Sequence, residues 1–169
     1  YIYELTHLLE GHADPLATLA TPEQLERGIS GYYEVTAAFH AETLQDRFYG
    51  AGGGGYHVVD ITDPANPEPV TSVSPAATRQ GHFVAPTPDG RYLVTTAEYR
   101  NAPVRLFDLQ PALDGTVQSV RTAVGAWTAD WRNFAQRLEV RWPYVFVASL
   151  EDGFQMFNMR DPEHPYTVA

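Results

Sequence analysis

Two histidines occupy similar places in the chain and are the strongest candidates for metal ligands. His40 lies eight residues before Phe48, and His82 lies ten residues before Tyr92. The two extra residues in the second segment match its Pro-Asp-Gly turn at 88–90. Imidazoles that converge on one point bind Cu, Fe or Zn. We therefore interpret His40 and His82 as a candidate metal pair.

Neighbouring residues leave this interpretation open. Glu42 and Glu139 would supply carboxylate ligands, whereas Arg137 stands near the matching position of a third segment and argues against a full ring of histidines. The alternative is that each histidine bonds only to backbone and water.

Two other motifs resemble binding sites but have the wrong context. The run 50–55 matches G-x-G-x-x-G, yet a dinucleotide site needs a helix next, and the β-branched run 56–62 predicts a strand. We expect a hairpin turn there. His7 and His12 are five residues apart with Gly11 between them, so they do not share one helical face as the histidines of a zincin do. We expect exposed histidines in a loop.

Three tryptophans are candidates for a contact surface. Trp127 and Trp131 lie in a stretch outside the repeated pattern described below, and Trp142 lies further along. Aromatic residues on such a segment favour binding of a protein partner. The alternative is that they pack in the core.

Composition excludes several kinds of chemistry. The chain has 169 residues with a formal net charge of −10, which disfavours nucleic acid as a partner. All eleven basic residues are arginine and there is no cysteine. A lysine Schiff base, a Walker lysine, a cysteine nucleophile and thiolate metal sites are therefore absent from this sequence. No apolar run reaches the roughly 20 residues of a membrane helix.

The elements that must position these residues repeat along the chain. Segments 47–67, 91–110 and 144–165 share one pattern of two strands and a turn. Asp60, Asp108 and Asn158 hold equivalent places, which gives a period of about 49 residues. Because these polar residues recur, as does Glu4 in the matching slot, we expect them to cap turns; calcium binding is the alternative.

Each repeat predicts four short antiparallel strands. A first strand precedes the two obvious ones (35–41, 82–86 and 137–141), and a fourth follows them (68–73, 116–123 and 166–169). Four strands every 40–50 residues are typical of a β-propeller blade. The chain then holds about 3.5 blades, and because a propeller closes into a ring we expect further blades of the same protein.

One repeat resembles a known family. The sequence from Gly53 to Pro67, GGGYHVVDITDPANP, is similar to the LVIVD repeat of bacterial and archaeal β-propellers, and Phe154–Pro165 matches it more loosely. This resemblance implies a propeller fold and a secreted, periplasmic or cell-surface location. It implies no catalytic motif.

The sequence therefore predicts an all-β, partial β-propeller. We divide it into a blade remnant at 1–6, an insertion at 7–32 with a short helix at 21–28, blades at 33–75 and 80–123, an insertion at 124–134 and a blade at 135–169. The predicted function is a protein-interaction or scaffold module. The alternatives are a metal-dependent oxidoreductase or hydrolase that uses His40 and His82, and a purely structural surface repeat.

Overall fold

The computed structural model describes residues 1–21, 31–73, 80–130 and 132–169, and it is an all-β structure. The described residues form 13 strands in three sheets and two short helices, α1 (Leu5–Leu9) and α2 (Gln110–Leu113). The helix expected at 21–28 and the side chain of Trp131 lie outside these ranges, apart from Thr21. Within the described part of the chain, no helix is long and apolar enough to cross a membrane.

The strands are, in chain order, β1 (Tyr32–His40), β2 (Gln45–Gly52), β3 (Gly55–Asp60), β4 (Glu68–Val73), β5 (Phe83–Pro86), β6 (Tyr92–Thr96), β7 (Val104–Asp108), β8 (Ser119–Val120), β9 (Gly125–Trp127), β10 (Ala135–Arg141), β11 (Tyr144–Ser149), β12 (Gly153–Asn158) and β13 (Tyr166–Thr167).

The first sheet has the order β1-β2-β3-β4-β8 and the third has the order β10-β11-β12-β13. In these two sheets, the consecutive strands from β1 to β4 and from β10 to β13 pair antiparallel, as alternating apolar and polar residues predict. Hairpin turns join them, and the β11–β12 turn has Gly153 at φ 72°, a conformation that glycine adopts without strain. The glycine run 50–55 forms the end of β2 and the turn into β3, which confirms the predicted hairpin.

The second sheet differs from the sequence prediction at its outer strand. Its order is β5-β6-β7-β9, so the fourth strand is Gly125–Trp127 and not the expected segment 116–123. Within that segment, Ser119–Val120 pairs in parallel with Ser72–Val73 of the first sheet. Alternating residues predict a strand but do not determine which sheet edge it joins. Because β9 buries the Trp127 side chain, it is favoured as the outer strand of the second sheet.

The second sheet is packed between the other two. One apolar core, which includes Tyr56 and Phe107, lies between the first and second sheets. The other core, which includes Leu106 and Phe157, lies between the second and third. The first strands β1, β5 and β10 run side by side through this stack, and the Thr36 hydroxyl on β1 donates a hydrogen bond to the Val84 carbonyl on β5 over 2.8 Å.

The recurring polar residues cap the turn after the third strand of each sheet. The side chains of Asp60, Asp108 and Asn158 accept hydrogen bonds from the backbone N–H two residues later, over 2.9, 2.9 and 2.8 Å. This confirms the expected role of these residues, because such bonds fix the chain direction after a strand. Glu4 behaves differently: its carboxylate lies 3.3 Å from His7 Nδ1.

Candidate functional site

His40 is the last residue of β1 and is buried beneath the turn between β5 and β6. Its Nε2 forms a hydrogen bond with the Tyr49 hydroxyl, and the residue is 5 % exposed. Gly90 closes over it: a Cβ at that position would lie 2.2 Å from the imidazole. The glycine of the predicted turn is therefore needed for close approach to His40 as well as for its φ of 67°.

The electrostatic environment keeps this imidazole neutral. Burial lowers the pKa of His40, the positive charge of Arg47 lowers it further, and Asp89 acts in the opposite direction. Burial also raises the pKa of the neighbouring Tyr49 to about 12. The pair is thus an uncharged hydrogen-bonded unit at neutral pH.

His82 lies just before β5, at the end of the first strands opposite to His40. Its Nδ1 is 3.1 Å from the Gln136 carbonyl oxygen, and its Nε2 is 3.5 Å from Glu98. Its ring centroid is 6.4 Å from that of Tyr33, which precedes His40 by seven residues on β1. Seven strand residues span about 23 Å, so the structure does not bring the two histidines into one site.

The other predicted ligands are also dispersed. Glu42 lies in the turn after β1, Glu139 pairs with Arg141 over 2.8 Å, and Arg137 pairs with Glu34. His7 and His12 are exposed, as expected, but His7 lies in α1 and not in a loop. Within residues 1–21, 31–73, 80–130 and 132–169, no group of three or more histidine, aspartate or glutamate side chains is arranged to hold a metal ion.

Trp127 is a core residue in this structure and not part of a contact surface. Only 4 % of it is exposed, its ring stacks on Phe157 with a centroid separation of 4.6 Å, and its Nε1 donates a hydrogen bond to the Thr167 hydroxyl over 3.0 Å. It therefore joins the second sheet to the third. Trp142, in the turn between β10 and β11, is exposed.

A cleft that the sequence analysis did not identify adjoins His40. It has a volume of about 780 Å³ and lies between the first sheet, the β5–β6 turn and α2. Arg47, on β2, lines it and is 5 % exposed. One feature of the sequence could have indicated Arg47: it and Arg91 both lie near the start of the second strand of a repeat.

The hydrogen bonds of Arg47 go to neutral groups. Its guanidinium donates from Nε and Nη2 to the Gln45 amide oxygen over 3.0 and 2.7 Å, and from Nη2 to the Thr43 hydroxyl over 3.4 Å. Arg47 also lies close enough to the Tyr49 hydroxyl to lower the pKa of that tyrosine in part. The site therefore contains a buried positive charge beside a neutral His–Tyr pair.

The same end of the sheets exposes apolar side chains. We call it the hairpin end: it carries the turns at 41–44, 87–91 and 142–143, which each follow the first strand of a sheet. Leu44 and Trp142 occupy two of these turns and are 69 % and 45 % exposed.

Comparisons of the chain with protein-family models, with curated proteins and with solved structures give no match.

Proposed function

We propose that this chain is a set of propeller-type blades that serves as a secreted or cell-surface scaffold and binds a protein partner through the hairpin end. Three features support the propeller part of the proposal: the face-to-face packing of the sheets, the adjacent first strands, and the polar cap repeated in each sheet. The resemblance to LVIVD repeats supports the location.

The outer faces of the stack support further blades as neighbours. Val35 and Phe39 on β1 point away from the second sheet and are more than half exposed. On the third sheet Phe154 is 70 % exposed, and its ring stacks on Phe146. Apolar sheet faces of this kind are normally covered, which in a propeller is done by the adjacent blades.

Leu44 is the observation that carries the interaction proposal. It is a non-glycine residue at φ 55°, a left-handed conformation that costs a branched side chain about 1 kcal/mol or more. Its side chain is also exposed, so it gains little from core packing. A residue that is unfavourable in both respects, at the tip of a hairpin on a rigid sheet, is typical of a binding surface.

The test compares Leu44→Asp with Leu150→Asp. Leu150 is 64 % exposed and lies in the turn between β11 and β12, at the opposite end of the sheets, so it is a matched control. We expect the wild-type protein and Leu150→Asp to capture the same stoichiometric partner from the extracellular and periplasmic fractions of the native organism, whereas Leu44→Asp loses it. Equal capture by all three proteins would contradict the proposal.

A further inference from the structure

Within the part of the chain that the structure describes, Arg47 has no direct ion pair, although a recurring aspartate lies opposite it and experiences its charge. In the second sheet, Arg91 pairs with the recurring Asp108 over 2.8 Å. In the first sheet, Arg47 is opposite the equivalent Asp60 across the strand pair, but Asp60 Oδ2 accepts instead from the Gln45 amide over 2.6 Å. Among the described residues, Arg47 forms no ion pair.

Such an arrangement is unfavourable without a counter-charge. A guanidinium cannot release its proton at physiological pH, and a buried charge is expensive unless an opposite charge and hydrogen bonds compensate it. Arg47 is 5 % exposed and lines an open cleft. A planar guanidinium in such a place is well suited to a carboxylate that enters from solvent.

The rest of the cleft restricts the ligand. Glu42, Asp89 and Asp114 line it with exposed carboxylates, and these repel a ligand that carries only negative charge. Val70 and Leu113 supply apolar contacts. The volume of about 780 Å³ lies in the range of small-molecule sites.

We propose that this cleft binds small zwitterions of the α-amino-acid type with an apolar side chain. The carboxylate of the ligand pairs with Arg47 at the floor of the cleft, and its ammonium group faces the carboxylates at the rim. The neutral His40–Tyr49 pair adds no charge to the floor, and the second arginine that lines the cleft, Arg91, is already paired with Asp108. This proposal stands apart from the binding of a protein partner through Leu44.

The test is an NMR titration of the ¹⁵N-labelled protein with three related probes. Leucine carries both charges, leucinamide lacks the carboxylate and N-acetylleucine lacks the ammonium group. We expect leucine to cause saturable shifts in the amides of residues 40–47, 87 and 89–91, and both derivatives to bind at least about tenfold more weakly. Absence of saturable shifts up to about 10 mM leucine would overturn the proposal. Equal binding of leucine and either derivative would also overturn it.

Arg47→Met separates a binding role from a structural one. Replacement of buried charged groups by well-packed apolar side chains of similar size is often neutral or stabilising. We therefore expect the ligand-free variant to keep its unfolding midpoint while its affinity for leucine falls at least about tenfold. Arg141→Met, at an exposed arginine paired with Glu139, controls for the change in net charge and should bind leucine as the wild type does. A lower midpoint for Arg47→Met with unchanged leucine affinity would contradict the proposal.

Discussion

His40 illustrates how a single buried group makes stability depend on pH. Because its pKa is lowered in the folded protein, the unfolded chain binds a proton more readily as the pH falls below the ordinary histidine value of about 6.5. The contribution of His40 to the free energy of unfolding is therefore fully present above that value and is lost as the pH falls through the lower, folded pKa. Several aspartates, including Asp60 and Asp108, also have lowered pKa values, but they change the free energy of unfolding only at more acidic pH.

We expect His40→Gln to reduce the loss of stability between pH 7 and pH 5. The amide does not titrate, so the proton linkage at this position disappears. Denaturant unfolding at several pH values measures the effect, with His12→Gln as the control at an exposed histidine. If wild type and His40→Gln lose the same free energy between these pH values, His40 is not the linked group.

The placement of the two histidines also shows what the sequence could not predict. The strand pattern correctly located most elements, because apolar residues alternate with a period of two. That period does not determine how many residues the turn between two strands contains. In the sheets, Phe48 and Leu93 each lie opposite the residue before the recurring aspartate, and they pair with Ala37 and Pro86 respectively. His40 lies three residues after Ala37, whereas His82 lies four residues before Pro86, so the two histidines do not occupy equivalent places. The sequence does not identify Arg47 as a site residue. Its lack of a direct ion pair among the described residues arises because the Gln45 side chain binds Asp60, and only the structure shows that contact.

At the level of the strands, β9 determines how closely the second sheet approaches the third. A Cβ on Gly125 would lie 1.8 Å from the Pro162 carbonyl oxygen, which belongs to the turn after β12. The turn after β12 thus has a tertiary contact that its local sequence does not reveal. Strand β9 itself was not predicted, since three residues in a segment that departs from the repeat carry too little periodicity.

Gly125→Ala should lower the free energy of unfolding by about 1–3 kcal/mol, because backbone must move to accommodate the methyl group. Chemical denaturation measures the change. Ala126→Ser, at the exposed neighbour on the same strand, should alter stability by less than about 0.5 kcal/mol. Equal effects of the two substitutions would show that this approach of the sheets does not contribute to stability.

Across the whole molecule, the second sheet connects two cores that lie on its opposite faces. Phe107 belongs to the core shared with the first sheet, and Phe157 belongs to the core shared with the third. Both side chains are fully buried. Loss of either core exposes one face of the same sheet, so the three sheets should unfold together.

Phe107→Ala and Phe157→Ala should each destabilise the protein by about 3–5 kcal/mol, as large cavities in a core do. Each should also keep a single unfolding transition. Coincidence of tryptophan fluorescence and far-UV circular dichroism curves, measured with Trp131 and Trp142 replaced by phenylalanine, tests this, because Trp127 is then the one fluorescent tryptophan and lies in one core only. A variant in which fluorescence changes before circular dichroism would show that the two cores unfold separately.

The path of the chain through β8 has a consequence for how such a protein can be altered by recombination. After β7 the chain leaves the second sheet, places Ser119–Val120 beside β4 of the first, and returns as β9. The repeat in the sequence is therefore not the repeat in space. Excision or duplication of one period of about 49 residues would remove or misplace a strand that belongs to the preceding sheet. Crossovers that preserve whole sheets must fall in the loop after Trp127, where no strand of a neighbouring sheet is carried along.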